Sequence, residues 1–127
     1  MIEFEENARY TKNNEWAKTL DDVIRVGIDD YSQASLGDIV HVEIMQSGNR
    51  VTAGDVLGSI EATKSVSDIN APVSGVISRV NDSVLESPAL INLDPFGEGW
   101  LVEIKADNPS EIDSLMSLAD YKKFIAR

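Results

Sequence analysis

The stretch Gly58-Ser59-Ile60-Glu61-Ala62-Thr63-Lys64-Ser65-Val66-Ser67-Asp68-Ile69 decides the fold. Two short runs rich in β-branched residues flank a polar Ala-Thr-Lys-Ser centre. This is the pattern of a β-hairpin whose turn carries a lysine. From Val51 through Ser78, Lys64 is the only Lys or Arg, while Asp55, Glu61 and Asp68 are acidic. Taken alone, such a residue is an ordinary exposed lysine at a hairpin tip.

Short strands extend in both directions from this turn. Val56–Glu61 and Gly75–Val80 are strand runs, punctuated by Ala53-Gly54-Asp55, Pro72-Val73-Ser74-Gly75 and Asn81-Asp82-Ser83. Pro72 lacks an amide donor and fits poorly inside a central ladder. Toward the amino terminus, Glu15–Leu20 and Val23–Ile28 form a strand pair about an Asp21-Asp22 turn. Asp29-Asp30 then caps a short helix over Tyr31–Leu36, closed by Gly37. Ile39, Val40, Val42 and Ile44 mark another strand, and Ser47-Gly48-Asn49-Arg50 turns it toward Val51. After Pro95, Leu101–Lys105 is a further strand. Asn108-Pro109 with Glu111 reads as a capping box opening a helix through Ile112, Leu115 and Met116. Tyr121, Phe124 and Ile125 supply a second apolar turn. The expected class is mainly β, a small barrel or sandwich with an amino-terminal helix and carboxy-terminal helical packing, spanning 1–127 as one domain.

Composition bounds the chemistry. The 127 residues and 13.9 kDa suit one domain with roughly 6,700 Å² of folded surface. Eleven basic against twenty-two acidic residues give −11, so nucleic acid and anionic membranes are poor partners. The chain has no cysteine, which removes disulfides, thiolate catalysis and cysteine-based metal sites. It has neither a signal-like amino terminus nor an apolar run of membrane-spanning length. A cytoplasmic location is expected; a mature mitochondrial form with its leader removed fits the same residues.

The ordinary catalytic constellations are missing. His41 is the single histidine, opposite in strand parity to Val40 and Val42, and reads as a surface residue. Asp21-Asp22 and Asp29-Asp30 suit turns and caps better than acid–base pairs. The glycines follow neither a dinucleotide fingerprint nor a phosphate loop. Trp16 and Trp100 are packing residues first, with a partner or cofactor groove as the second reading. No catalytic residue and no metal site is assigned.

A longer pattern changes the reading of Lys64. Asn14-Glu15-Trp16, Val26-Gly27-Ile28-Asp29-Asp30-Tyr31-Ser32-Gln33, Leu36-Gly37-Asp38-Ile39-Val40 and Glu61-Ala62-Thr63-Lys64-Ser65 occur in order. They are followed by Ser67–Gly75, Pro88-Ala89-Leu90-Ile91-Asn92 and Asp94–Trp100. This ensemble, over roughly residues 8–127, resembles the H protein of the glycine cleavage system, a lipoyl-carrying family. The resemblance implies a barrel-sandwich hybrid of the biotinyl/lipoyl-carrier type and lipoic acid held as an amide on Lys64. Glu61, Thr63, Ser65 and Asp68 are the implied lipoylation-recognition residues. Glu15, Trp16, Gly27, Ile28 and Asp29 are the implied lipoyl-arm cleft.

The implied function is carriage without autonomous catalysis. In the family, the lipoyl-lysine arm shuttles an aminomethyl group from a pyridoxal-phosphate (PLP)-dependent glycine decarboxylase to a tetrahydrofolate-dependent aminomethyltransferase. Dihydrolipoyl dehydrogenase then reoxidises the arm. A lipoate ligase or lipoyl/octanoyl transferase attaches the cofactor, and the carrier is expected to be a monomer making transient contacts. The cofactor's sulfurs would supply redox chemistry that a cysteine-free chain lacks. The family turn often reads Glu-Ser-Val-Lys-Ala where this chain has Glu61-Ala62-Thr63-Lys64-Ser65. Asn14 stands at a common histidine position, His41 at a usual aromatic one, and Met45-Gln46-Ser47 departs from a common Leu-Pro-Glu-like turn. A specialised H-like lipoyl carrier or relay serving another enzyme system is the alternative. Biotinyl carriers, which commonly flank the modified lysine with Met, match less well.

Overall fold

The computed structural model describes residues 2–126. Nine strands and four short α-helices follow the order β1 Arg9–Tyr10, β2 Glu15–Leu20, β3 Val23–Ile28, α1 Asp30–Leu36, β4 Ile39–Ile44, β5 Arg50–Val51, β6 Val56–Ala62, β7 Val66–Asn70, β8 Gly75–Val80, α2 Asp82–Glu86, α3 Ala89–Leu93, β9 Val102–Ala106 and α4 Leu118–Ile125 among the described residues. A 3₁₀ turn over Pro109–Ser114 precedes α4. The strands form a six-stranded sheet ordered β1-β2-β3-β9-β8-β5 and a three-stranded sheet ordered β4-β6-β7, with every pairing antiparallel. Mainly β architecture with two sheets is what the strand spacing predicts, and it is consistent with a barrel-sandwich lipoyl carrier. The accessible surface is 6777 Å², close to the value expected for a compact chain of this mass.

The two sheets share one apolar interior. Ala17, Ile24, Val26, Ile77 and Ile104 from the larger sheet pack with Ile39, Val42, Leu57, Ile60 and Ile69 from the smaller. Strand alternation sends the neighbouring side chains the other way. Trp16 therefore lies outside the sheet that Ala17 lines, where it joins Ala8, Tyr10, Trp100 and Tyr121 in a second cluster. The α4 residues Leu118, Phe124 and Ile125 and the amino-terminal Phe4 pack against that cluster. Tyr10 and Tyr121 stack at 4.4 Å between ring centroids. Arg25 and Arg79 bracket Trp100, their guanidinium carbons 4.6 and 5.0 Å from its ring centroid. Both arginines also reach Glu103 between them, Arg25 at 2.7 Å and Arg79 at 3.7 Å.

Several local expectations hold. Asp21-Asp22 turns β2 into β3, with Asp21 at positive φ. Asp29 caps α1 by accepting from Ser32 N at 2.7 Å, and Gly37 ends that helix at φ 80°. Pro72 falls in the connection between β7 and β8, outside both ladders.

Other expectations are corrected. Asn81-Asp82-Ser83 punctuates β8 as expected, but by opening a helix. Asn81 caps α2 through Ser83 N, while its amide donates to Glu98 O and Trp100 O. The capping box at Asn108 is half made: Asn108 accepts from Ser110 N, but the Glu111 carboxylate accepts from Ser74 N at 2.8 Å. A distant backbone amide has taken the group that local pattern assigned to the cap. The expected helix through Met116 accordingly stops as a 3₁₀ turn, and Met116 instead pairs with Tyr10 in a β-bridge. On β4, a register shift between Ile39 and His41 breaks simple alternation, so Val40 and His41 both face solvent.

Candidate functional site

Lys64 lies at the tip of the β6–β7 hairpin. Glu61 pairs with Val66, and Ala62 N donates to Ser65 O at 2.8 Å, leaving Thr63 and Lys64 to reverse the chain. The tip is also tethered sideways. Thr63 N donates to Asp38 O at 3.1 Å, joining the turn to the segment that leads into β4. The turn backbone is thus fixed, while the lysine side chain is exposed and makes no hydrogen bond or ion pair among the described residues. A long aliphatic stem on a rigid turn delivers a primary amine away from the surface without burying its charge.

The surroundings of that amine are acidic. Glu61 and Asp68 are exposed on β6 and β7, and Thr63 and Ser65 are exposed on either side of Lys64. The hairpin therefore brings Glu61, Thr63 and Ser65 around the lysine, and strand alternation puts Asp68 on the outward face of β7, two residues beyond Val66. His41 lies across the sheet from Glu61, its ring 3.3 Å from the Glu43 carboxylate. No described cluster of three or more acidic or histidine side chains is arranged for a metal. An acylated Lys64 fits this place: the turn has no side chain folded over the amine, and acylation removes a charge that no described partner uses. The groups that could hold a lipoyl moiety begin with that one amide.

Glu15, Trp16, Gly27, Ile28 and Asp29 come together elsewhere, at one end of the β2–β3 hairpin, and all five are buried. Glu15 Oε2 accepts from Asn70 N at 2.9 Å, at the far end of β7 from the lysine turn. Trp16 donates its indole N–H to Pro95 O at 3.0 Å and lies over Gly27, where a Cβ would approach Trp16 Nε1 to 2.6 Å. Asp29 accepts from Ser32 N and from the Tyr121 hydroxyl. Burial raises the Asp29 pKa to about 6, against the pull of its Tyr121 and Ser32 hydrogen bonds. Burial likewise raises Glu15, and the nearby Asp29 charge adds to the rise. Burial and the Asp29 hydrogen bond hold Tyr121 well above the ordinary phenol range. In this conformation the group is a satisfied wall rather than an open lining.

Sequence reading missed the role of Tyr121 and of Asn92. Tyr121 looks like one apolar position on a helix, and its contact with Asp29 spans ninety-two residues. Asn92 lies in a helix that no strong periodicity announces. It accepts from Ile39 N at 3.0 Å and donates to Gly37 O at 2.8 Å and Gln33 Oε1 at 3.0 Å. The motif Pro88–Asn92 was the only signal available for it. Among the described helices, none is long and apolar enough to cross a membrane.

Comparison with known proteins shows the family. The family model described as "Glycine cleavage H-protein" matches residues 8–127. A glycine cleavage system H protein of Chlorobaculum parvum is 48% identical over 122 residues, covering 94% of this chain and 95% of that protein. One from Carboxydothermus hydrogenoformans is 43% identical over 117 residues, covering 92% and 90% respectively. The crystal structure of a glycine cleavage system H protein from Mycobacterium marinum superposes with a TM-score of 0.90 at 33% identity, covering 98% of this chain and all of the other. An exposed lysine on a tethered β-turn, two antiparallel sheets and a match along nearly the whole length lead to one conclusion: the chain belongs to the glycine cleavage system H-protein family, the carrier subunit of that system.

Proposed function

We propose that Lys64 is the lipoyl acceptor of this H protein and that the lipoylated chain serves the glycine cleavage cycle. The observation that carries the reading is the exposed, unpaired Lys64 amine at the tip of the β6–β7 hairpin, with Thr63 tied to Asp38 and Glu61 alongside. Once bound, a lipoyl group supplies a long tether and the sulfur chemistry needed to carry an aminomethyl unit and to be reoxidised.

The chain's own residues do simpler work. The hairpin holds the Lys64 Nζ outward, where its lone pair can attack the acyl carbon of an activated donor. An amide bond forms, the donor's leaving group departs and the amine loses its protons, taking the formal charge of the chain from −11 to −12. Glu61, Thr63, Ser65 and Asp68 form the face that a lipoate ligase or lipoyl/octanoyl transferase reads. Glu15, Trp16, Gly27, Ile28 and Asp29 would form the wall of a lipoyl-arm cleft, with Glu15 held on β2 by Asn70 and Thr11. The partners are a PLP-dependent glycine decarboxylase, a tetrahydrofolate-dependent aminomethyltransferase and dihydrolipoyl dehydrogenase, each supplying its own catalysis. The chain contributes transport between them.

Intact mass and peptide mapping after incubation with lipoate, ATP and lipoate ligase test the assignment. Wild type gains one lipoyl mass, mapped to Lys64. Lys64→Arg keeps the charge, lacks the primary amine and gains none. Mapping of the added mass to Lys18, Lys105 or Lys122 would overturn the site.

A further inference from the structure

Three exposed aliphatic side chains lie on the segments that meet at the Lys64 end of the small sheet. Val66, two residues after the lysine, is 67% exposed. Val40 is 50% exposed, turned outward by the irregular register of β4 opposite Glu61 and Ala62. Leu93, the last residue of α3, is 79% exposed. A single exposed leucine carries no message. These three lie on parts of the chain that are fastened to one another.

The fastening is Asn92. Its side-chain oxygen accepts from Ile39 N at 3.0 Å, and its amide donates to Gly37 O at 2.8 Å. The residue between those two, Asp38, accepts through its carbonyl from Thr63 N at 3.1 Å. One hydrogen-bonded path therefore runs from Leu93 through Asn92 and the 37–39 segment to Thr63 and Lys64. Asp38, Glu61 and Asp94 are exposed along it. The surface thus has apolar points within an acidic rim, beside the one amine that another enzyme has to enclose.

We propose that the enzyme that acylates Lys64 docks on this surface, with Val66, Val40 and Leu93 as its apolar contacts and Asn92 as the residue that positions α3 against the lysine turn. The proposal rests on the reading of Lys64 as acyl acceptor. The occupant is an acyltransferase whose active-site rim is basic and carries an aliphatic recess. Burial of Leu93 and Val40 provides binding, and the acidic rim provides orientation. The reaction is unchanged: the Lys64 amine forms the amide, the bond to the donor's leaving group breaks, and the released protons pass to solvent.

The test measures initial acylation rates by intact mass, using the full-length apo-protein with lipoate ligase, lipoate and ATP over a range of apo-protein concentrations. Leu93→Asp and Val40→Asp each raise the KM for the apo-protein at least fivefold and leave kcat within twofold. Asn92→Ala, which retains both aliphatic side chains, raises KM by a similar factor. Val56→Asp is the charge-matched control: Val56 is 49% exposed at the far end of β6 from the turn, and its variant keeps the wild-type KM. Circular dichroism and thermal melts establish that every variant is folded. Wild-type KM values for Leu93→Asp and Val40→Asp, or an equal rise for Val56→Asp, overturn the docking surface. A wild-type chain that gains no lipoyl mass at Lys64 overturns the underlying acceptor assignment instead.

Discussion

Glu15 holds Asn70 twice: its Oε2 accepts from the Asn70 backbone amide at 2.9 Å and from the side-chain amide at 3.3 Å. Its other oxygen accepts from Thr11 Oγ1 at 2.8 Å. Glu15 begins β2 of the large sheet, and Asn70 ends β7 of the small one. A carboxylate that is 1% exposed therefore fastens the foot of the lysine hairpin to the other sheet.

Glu15→Ala strips partners from the half-buried Asn70 amides and from Thr11. The expected loss is about 2–4 kcal/mol, since unsatisfied buried donors each cost roughly 1–3 kcal/mol. Urea unfolding measures it; a loss under about 0.5 kcal/mol would show that Glu15 is not a structural tie. Glu15→Gln keeps acceptor and shape and falls between the two.

Asp29 makes stability depend on pH. Its pKa rises from an ordinary 3.8 to about 6, so between those values the native chain holds a proton that the unfolded chain releases. The sign follows directly: its favourable contribution is complete below pH 3.8 and is lost as pH rises through about 6. Asp29→Asn does not titrate; its one oxygen keeps the Ser32 cap, and its amide can donate to the Tyr121 oxygen while that hydroxyl donates to Asn14 Oδ1. Relative to the variant, wild type should lose about 2–3 kcal/mol from pH 4 to pH 7, at 1.36 kcal/mol per pKa unit. Parallel urea-midpoint curves for the two chains across that range would contradict this.

Gly27 is the space that Trp16 occupies. In Gly27→Ala the new methyl would meet Trp16 Nε1 at 2.6 Å, and the indole cannot retreat without breaking its bond to Pro95 O. Overpacking of this kind costs about 1–3 kcal/mol. Thermal melting should drop accordingly, with a shift in tryptophan emission that reports the displaced ring.

Glu61 sits beside the lysine turn, and its carboxylate makes no hydrogen bond among the described residues. Glu61→Ala should therefore leave stability within about 0.5 kcal/mol, as for surface changes generally. The acylation rate at Lys64 should fall severalfold. Equal rates over a range of ligase and apo-protein concentrations would remove Glu61 from the recognised face.

Loading should depend on a partner and on salt. Lipoylated chain mixed with glycine and a PLP-dependent glycine decarboxylase should gain aminomethyl mass, and should gain none without the decarboxylase. With a net charge of −11, encounter with a basic partner rim slows as ionic strength rises. Salt-independent loading would remove the steering. No loading by a competent decarboxylase would favour a specialised lipoyl carrier.

The sequence by itself determined much of the local structure around the site. Alternation of apolar residues placed β2, β3, β4, β6, β8 and β9, because each strand has one face turned to a shared interior. Asp29 and Gly37 bounded α1, since a side-chain acceptor and a positive-φ glycine act within a few residues of the helix ends. The turn at Lys64 was legible for the same reason. A hairpin turn is set by the few residues around it, and the structure adds the register, pairing Glu61 with Val66.

Only the tertiary structure decided where polar groups far apart in the chain satisfy one another. Glu111 left its own cap for Ser74 N, thirty-seven residues away. Glu15 went to Asn70, Tyr121 to Asp29, and Asn92 to the segment before β4. Each of these side chains could have made a local bond or faced water. Once the sheets close, a buried amide left unpaired costs more than a local cap returns, so the distant partner prevails. No window of sequence contains both members of such a pair. The lysine turn was therefore readable from its neighbours, while the ties that hold it in place existed only after the two sheets had met.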